Sequence, residues 1–114
     1  MNIGYVSISK YEQNPYGQLQ ALRRYHVERI FKDRIYGKGA ARPQRMAMLD
    51  SAGPGDTVYI ESISRLAQDT IDFRNIIERF KAKEVGLVSI KEEFDTTSPT
   101  GRLLAVIFAA TQFK

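Results

Sequence analysis

Ser9 closes the run Asn2–Ser9, NIGYVSIS, in which Ile3, Tyr5 and Ile8 supply the β-branched and aromatic residues of a buried strand. The run ends on a hydroxyl and is followed by the polar Lys10, Tyr11, Glu12 and Gln13. In an α/β sheet, ligands and chemistry gather beyond the C-terminal ends of the strands, so Ser9 is the first candidate nucleophile. The same hydroxyl could instead cap the turn or helix that follows it. Two further strand ends supply partners. Asp33 and the Gly37–Arg42 loop follow the second expected strand, and Ser64-Arg65 follows the third. A hydroxyl, a carboxylate and two guanidinium groups would then share one sheet edge. Arg42 and Arg65 can each present a fork of donors to a phosphate, which a lysine does less specifically. Arg65 could equally form a surface ion pair with Glu61 or Asp69.

Other chemistries are closed off by composition. The 114 residues contain no cysteine, which excludes disulfides, iron–sulfur clusters and thiolate zinc sites. The single histidine, His26, reads as a surface residue at a helix end. A Ser–His–Asp triad has little to draw on, and no G-x-S-x-G elbow is present for a serine hydrolase. The longest apolar run, Leu103–Ala110, is too short to span a bilayer, and the chain opens directly on a strand, so a cytoplasmic protein is expected. Charge is unevenly spread. Residues 1–48 carry nine basic and three acidic groups, whereas residues 49–114 carry eight basic and ten acidic. A basic half beside a mildly acidic one fits a polyanion footprint, and it fits a solvated basic face nearly as well.

The elements that must position these residues alternate. Strands are expected at Asn2–Ser9, Arg29–Lys32, Thr57–Ser62 and Gly86–Lys91. Helices are expected at Pro15–Arg24, Pro43–Ser51, Thr70–Lys83 and Pro99–Phe113. The third helix has the clearest stripe, Phe73, Ile76, Ile77 and Phe80. Leu103, Leu104, Ile107 and Phe108 recur at helical spacing in the last, with Ser98-Pro99 as its cap and first turn. Gly53-Pro54-Gly55-Asp56 is a turn that launches the third strand. Alternation of this kind predicts one α/β domain with a mainly parallel sheet.

The segments GYVSIS-x-x-EQ, Q-x-x-AL, IF-x-D, GDTVYI-x-SISRL and FDTTSPTGRLL-x-x-IFAA follow one another along nearly the whole chain. In this the sequence resembles the small serine recombinases, the resolvase and DNA-invertase family. The resemblance implies a three-layer α/β/α catalytic domain over residues 1–114, without the family's long dimerisation helix and helix-turn-helix domain. It implies DNA as the partner and a covalent 5′-phosphoserine intermediate, formed with neither metal nor nucleotide cofactor. Ser9 matches the family nucleophile, Arg42 and Arg65 match two site arginines, and Gln18 and Asp33 match polar residues that arrange the site. Lys10, Lys38 and Arg45 are the expected DNA-phosphate contacts, and Lys10 could stand in for a missing positive charge.

Departures from the pattern are equally specific. Ser7 stands where members carry an arginine, Ser64 where they carry an aspartate, Ala67 for a glycine and Gln68 for a second arginine. The resemblance therefore implies either an active DNA strand-transfer domain or a degenerate relative that only binds or oligomerises. Without the long helix, a monomer or weak dimer is expected, together with weak DNA binding mainly through phosphates.

Overall fold

The computed structural model describes residues 1–9, 14–37 and 39–113. Five strands, β1 (Asn2–Ser9), β2 (Arg29–Ile35), β3 (Thr57–Ile60), β4 (Gly86–Ser89) and β5 (Phe94–Asp95), form one sheet in the order β2-β1-β3-β4-β5. All neighbouring pairs are parallel except β4 with β5. Five helices connect them: α1 (Tyr16–Arg23), α2 (Pro43–Ser51), α3 (Ile63–Leu66), α4 (Thr70–Ala82) and α5 (Pro99–Gln112). The expected α/β architecture with helices on both sheet faces is present, with β5 and the single-turn α3 as additions. Both are too short to leave a periodic signature.

Alternation along the strands sorts the two faces. Ile3, Tyr5, Phe31, Val58, Ile60 and Leu87 point into the main core, where they meet Met48 and Leu49 of α2, Ile63 and Leu66 of α3, and the Phe73–Phe80 stripe of α4. Gly4, Val6 and Ile8 face the other way, toward Leu22 of α1. A Cβ on Gly4 would lie 3.0 Å from both Leu22 and Val27, so its absence lets α1 settle on the sheet. His26 is exposed, in a left-handed turn after α1 (φ 55°).

β2 runs three residues further than its apolar pair Ile30-Phe31 suggests, pairing with β1 as far as Ser9↔Ile35. Asp33 therefore lies inside the strand, 4% exposed, and not in the loop after it. A buried carboxylate must be satisfied. Asp33 accepts from the Tyr5 hydroxyl (2.8 Å) and from the backbone N–H groups of Gln44 (3.0 Å) and Arg45 (2.8 Å). The residue at the N-cap of α2, Arg42, provides no side-chain cap. Asp33 does that work from β2, meeting the free N–H groups and the positive end of the helix. Burial, then the hydrogen bond and charge of Asp33, raise the Tyr5 hydroxyl well above the ordinary tyrosine pKa.

The expected cap of α5 is present, Ser98 Oγ accepting from the Gly101 N–H at 3.0 Å. The helix nevertheless turns its small residues inward. Gly101, Ala105 and Ala109 are buried, while Leu103, Leu104, Val106 and Ile107 are 37–62% exposed. Of the expected stripe only Phe108 packs, stacked on Phe94 with ring centroids 6.4 Å apart. The cause is close approach. A Cβ on Gly101 would lie 1.7 Å from the Asp95 carbonyl oxygen, so only glycine allows α5 to rest against β5.

Two stability measurements check these contacts. Gly101→Ala should lower the free energy of denaturant unfolding by about 2 kcal/mol or more, because α5 must move bodily. The control Gly17→Ala, with nothing within 4 Å of the added Cβ, should be neutral or stabilising. Equal effects would contradict the close packing of α5. For Tyr5, the folded chain holds the phenolic proton more tightly than the unfolded chain, so its contribution is complete below about pH 10 and drains away as pH rises further. Tyr5→Phe should cost about 1–2 kcal/mol at neutral pH. It should also flatten the fall in stability on the alkaline side, followed by denaturation at a series of pH values.

Candidate active site

The site grows out of an unfinished ladder. β3 pairs with β1 only through Asn2–Gly4, so the C-terminal half of β1 has a strand neighbour on the β2 side alone. Side chains occupy the vacant side. The Ser7 N–H donates to Gln18 Oε1 at 3.3 Å, and Gln18 Nε2 donates to the Ser7 carbonyl at 2.7 Å. A single buried amide from α1 thus repeats both bonds that a neighbouring strand would make. The Arg65 guanidinium adds a bond of 3.3 Å from Nη1 to the same carbonyl.

Arg65 lies in α3, whose two ends are held by other elements. At the N-terminus the Ile63 N–H donates to Glu92 Oε1 at 2.9 Å, and Ser89 Oγ donates to the same oxygen. At the C-terminus the Arg65 carbonyl accepts from Ser7 Oγ (2.5 Å) and Arg42 Nη1 (3.0 Å). The Leu66 carbonyl accepts from Arg42 Nη1 (3.3 Å) and Arg45 Nη1 (2.8 Å). A single turn has almost no internal ladder, so these outside donors answer its free carbonyls. The Arg65 guanidinium is oriented by Nε–Glu61 at 3.3 Å, the ion pair expected as one alternative. Asp69, the other expected acid, instead caps α4 by accepting from the Asp72 N–H.

Ser9 ends β1 and is partly buried, on the same sheet face as Tyr5 and Ser7 and about 7 Å along the strand from Ser7. It is not the N-cap of α1, a position held by Pro15. Gln18, Arg42 and Arg65 are thus linked by hydrogen bonds around the C-terminal half of β1, with Asp33 acting through α2, and Ser9 ends that strand. Arg45 is turned inward: its Nη1 also forms an ion pair of 2.8 Å with Asp72, tying α2 to the start of α4. Any phosphate contact by Arg45 falls to its remaining N–H groups. Lys10 and Lys38 lie outside the described residues.

Sequence reasoning missed three contributors. Tyr5 was read as core, although its hydroxyl reaches Asp33. Glu92 carries no signal in the sequence, and Ser7 stands out there only for the charge it lacks. A tyrosine inside a buried strand was the one available signal, since its hydroxyl needs a partner. Two of the other departures also form hydrogen bonds. Ser64 Oγ pairs with Ser62 Oγ at 2.9 Å, and Gln68 Oε1 accepts from the Gly39 N–H at 3.1 Å.

Residues 2–113 match the family model described as the resolvase N-terminal domain. The chain is 35% identical over 111 residues to the transposon Tn21 resolvase of Escherichia coli, covering 95% of this chain and 58% of the relative. It is 32% identical over 110 residues to the DNA-invertase of Escherichia phage P1, covering 96% and 59%. The fold superposes on the N-terminal catalytic domain of TP901-1 integrase with a TM-score of 0.76, at 20% identity, over 98% of this chain and 94% of that one. The chain spans a little under three fifths of the length of the two relatives. With nearly every residue inside the family match, and the expected mainly parallel α/β fold beneath it, the chain belongs to the resolvase N-terminal domain family.

Proposed function

We propose that residues 1–114 act as the catalytic domain of a site-specific DNA recombinase, with Ser9 as its nucleophile. The observation that carries this reading is the site edge itself: a serine ends β1, and the Arg65 guanidinium is bonded to the carbonyl of Ser7, two residues before it. In the reaction the Ser9 oxygen bonds to a DNA phosphorus and the bond from phosphorus to the 3′ oxygen breaks. The serine proton ends on the released 3′-hydroxyl, leaving a 5′-phosphoseryl link. Religation is the same exchange run backwards with another strand's 3′-hydroxyl. The covalent link conserves the phosphodiester energy, which an attacking water would discard. Negative charge grows on the phosphate oxygens in the transition state, and Arg65 and Arg42 are the groups to meet it. Gln18 fixes β1 from α1, and Asp33 fixes Arg42 by seating α2. The cytoplasm is the matching compartment; among the described residues no helix is long and apolar enough to cross a membrane.

Strand exchange needs more than one copy of the domain. The exposed face of α5, with Leu103, Leu104, Val106 and Ile107, supports self-association through that helix. Scattered apolar residues are ordinary on a surface, but four on one helix face form a patch that pairing would cover.

Three measurements test these assignments. Incubation with nicked DNA duplexes and denaturing electrophoresis should reveal a protein–DNA adduct that Ser9→Ala abolishes. An adduct that survives Ser9→Ala would sink the nucleophile assignment. Arg65→Ala should lower adduct formation by about 10³-fold or more, the scale on which a phosphoryl-clamping arginine acts. In sedimentation at rising micromolar concentration the chain should shift toward dimer, and Ile107→Glu should hold it as monomer. A chain that stays monomeric throughout would remove α5 as the contact.

A further inference from the structure

Ser7 is 2% exposed, and each of its polar atoms is bonded. Its N–H and carbonyl are taken up by Gln18, and the carbonyl also accepts from Arg65 Nη1. Its Oγ donates to the Arg65 carbonyl at 2.5 Å. Two of these bonds land on one residue, one on its main chain and one on its guanidinium. Ser7 thus meets Arg65 twice, its hydroxyl at the Arg65 main chain and its own carbonyl at the guanidinium.

Resting on the reading of Ser9 and Arg65 given above, we propose that Ser7 is a positioning residue for Arg65: its hydroxyl ties α3 to β1 and sets the guanidinium beside the nucleophile strand. A clamp stabilises developing phosphate charge only if it is in place before the charge appears. α3 cannot secure its own last carbonyls, because a single turn leaves them without internal donors. Arg42 and Arg45 meet them from α2, but only Ser7 meets them from the strand that ends in Ser9. The short neutral side chain is what permits the contact. Its hydroxyl reaches a backbone carbonyl at 2.5 Å, a bond that an alanine cannot make. Ser7 therefore contributes geometry at a position where the family resemblance had implied a missing charge.

The two views of Ser7 make opposite forecasts. If it is merely a lost cation, Ser7→Ala is silent and Ser7→Arg raises activity. If it positions Arg65, Ser7→Ala lowers adduct formation on nicked duplexes about 10- to 100-fold, the penalty of a reacting group misplaced by roughly an ångström. DNA affinity should change little, melting temperature should fall only by the few degrees that one buried hydrogen bond is worth, and Ser7→Thr, which keeps the hydroxyl, should restore most of the rate. A second measurement does not depend on catalysis. In protein labelled with ¹⁵N-arginine, the Arg65 Nε–H resonance should be distinct in the native chain, broaden or move in Ser7→Ala, and return in Ser7→Thr, with Arg79 as an unaffected control. The proposal is overturned if Ser7→Ala leaves this resonance unchanged, or if Ser7→Thr is as disturbed as Ser7→Ala. A resonance that follows Ser7 while native protein forms no adduct would keep the positioning role and reject the recombinase reading of the site.

Discussion

The buried carboxylate of Asp33 is the constraint on which the rest of the site depends. A charge removed from water must find donors, and this one finds three, on Tyr5 and on the first turn of α2. Satisfying it fixes β1, β2 and α2 relative to one another in a single step. Seating α2 fixes where Arg42 and Arg45 begin. Their guanidinium groups then meet the open end of α3 and so locate Arg65. Electrostatic need at one buried carboxylate is thereby converted into the placement of a guanidinium on a different element.

The same logic changes the meaning of the three neutral positions. Ser7, Ser64 and Gln68 stand where charged side chains were expected, and each is instead held in a bond to a neutral neighbour: the Arg65 carbonyl, the Ser62 hydroxyl and the Gly39 N–H. Relative to the family pattern, two positive side chains and one negative one give way to hydrogen bonds that order α3 and the segment before α2. Electrostatic stabilisation in a low-dielectric site depends on preorganisation as well as charge, so the exchange is not a pure loss.

α5 shows how a packing constraint can reverse an apolar pattern. By hydropathy the helix would bury its leucines. Gly101 lets its backbone approach β5 so closely that only the glycine and alanine face fits against the sheet, and the larger residues are turned outward. A hydrophobic surface is left exposed on the outer side of the helix.

Sequence by itself determined the elements long enough to show a period or a cap: β1 as far as Ser9, α2 to the residue, the buried stripe of α4 and the Ser98 cap of α5. It also named Ser9, Arg42 and Arg65 through their places at strand ends, and the family resemblance added Gln18. Only tertiary structure decided that β2 extends past Asp33, that α3 and β5 exist, and that Tyr5, Ser7 and Glu92 belong to the site's framework. The physical reason is the range of the forces. Periodicity and capping are written within a few neighbouring residues. The bonds that build this site join residues far apart in the chain, such as Tyr5 with Asp33 and Ser7 with Arg65, and exist only once the sheet has brought them together.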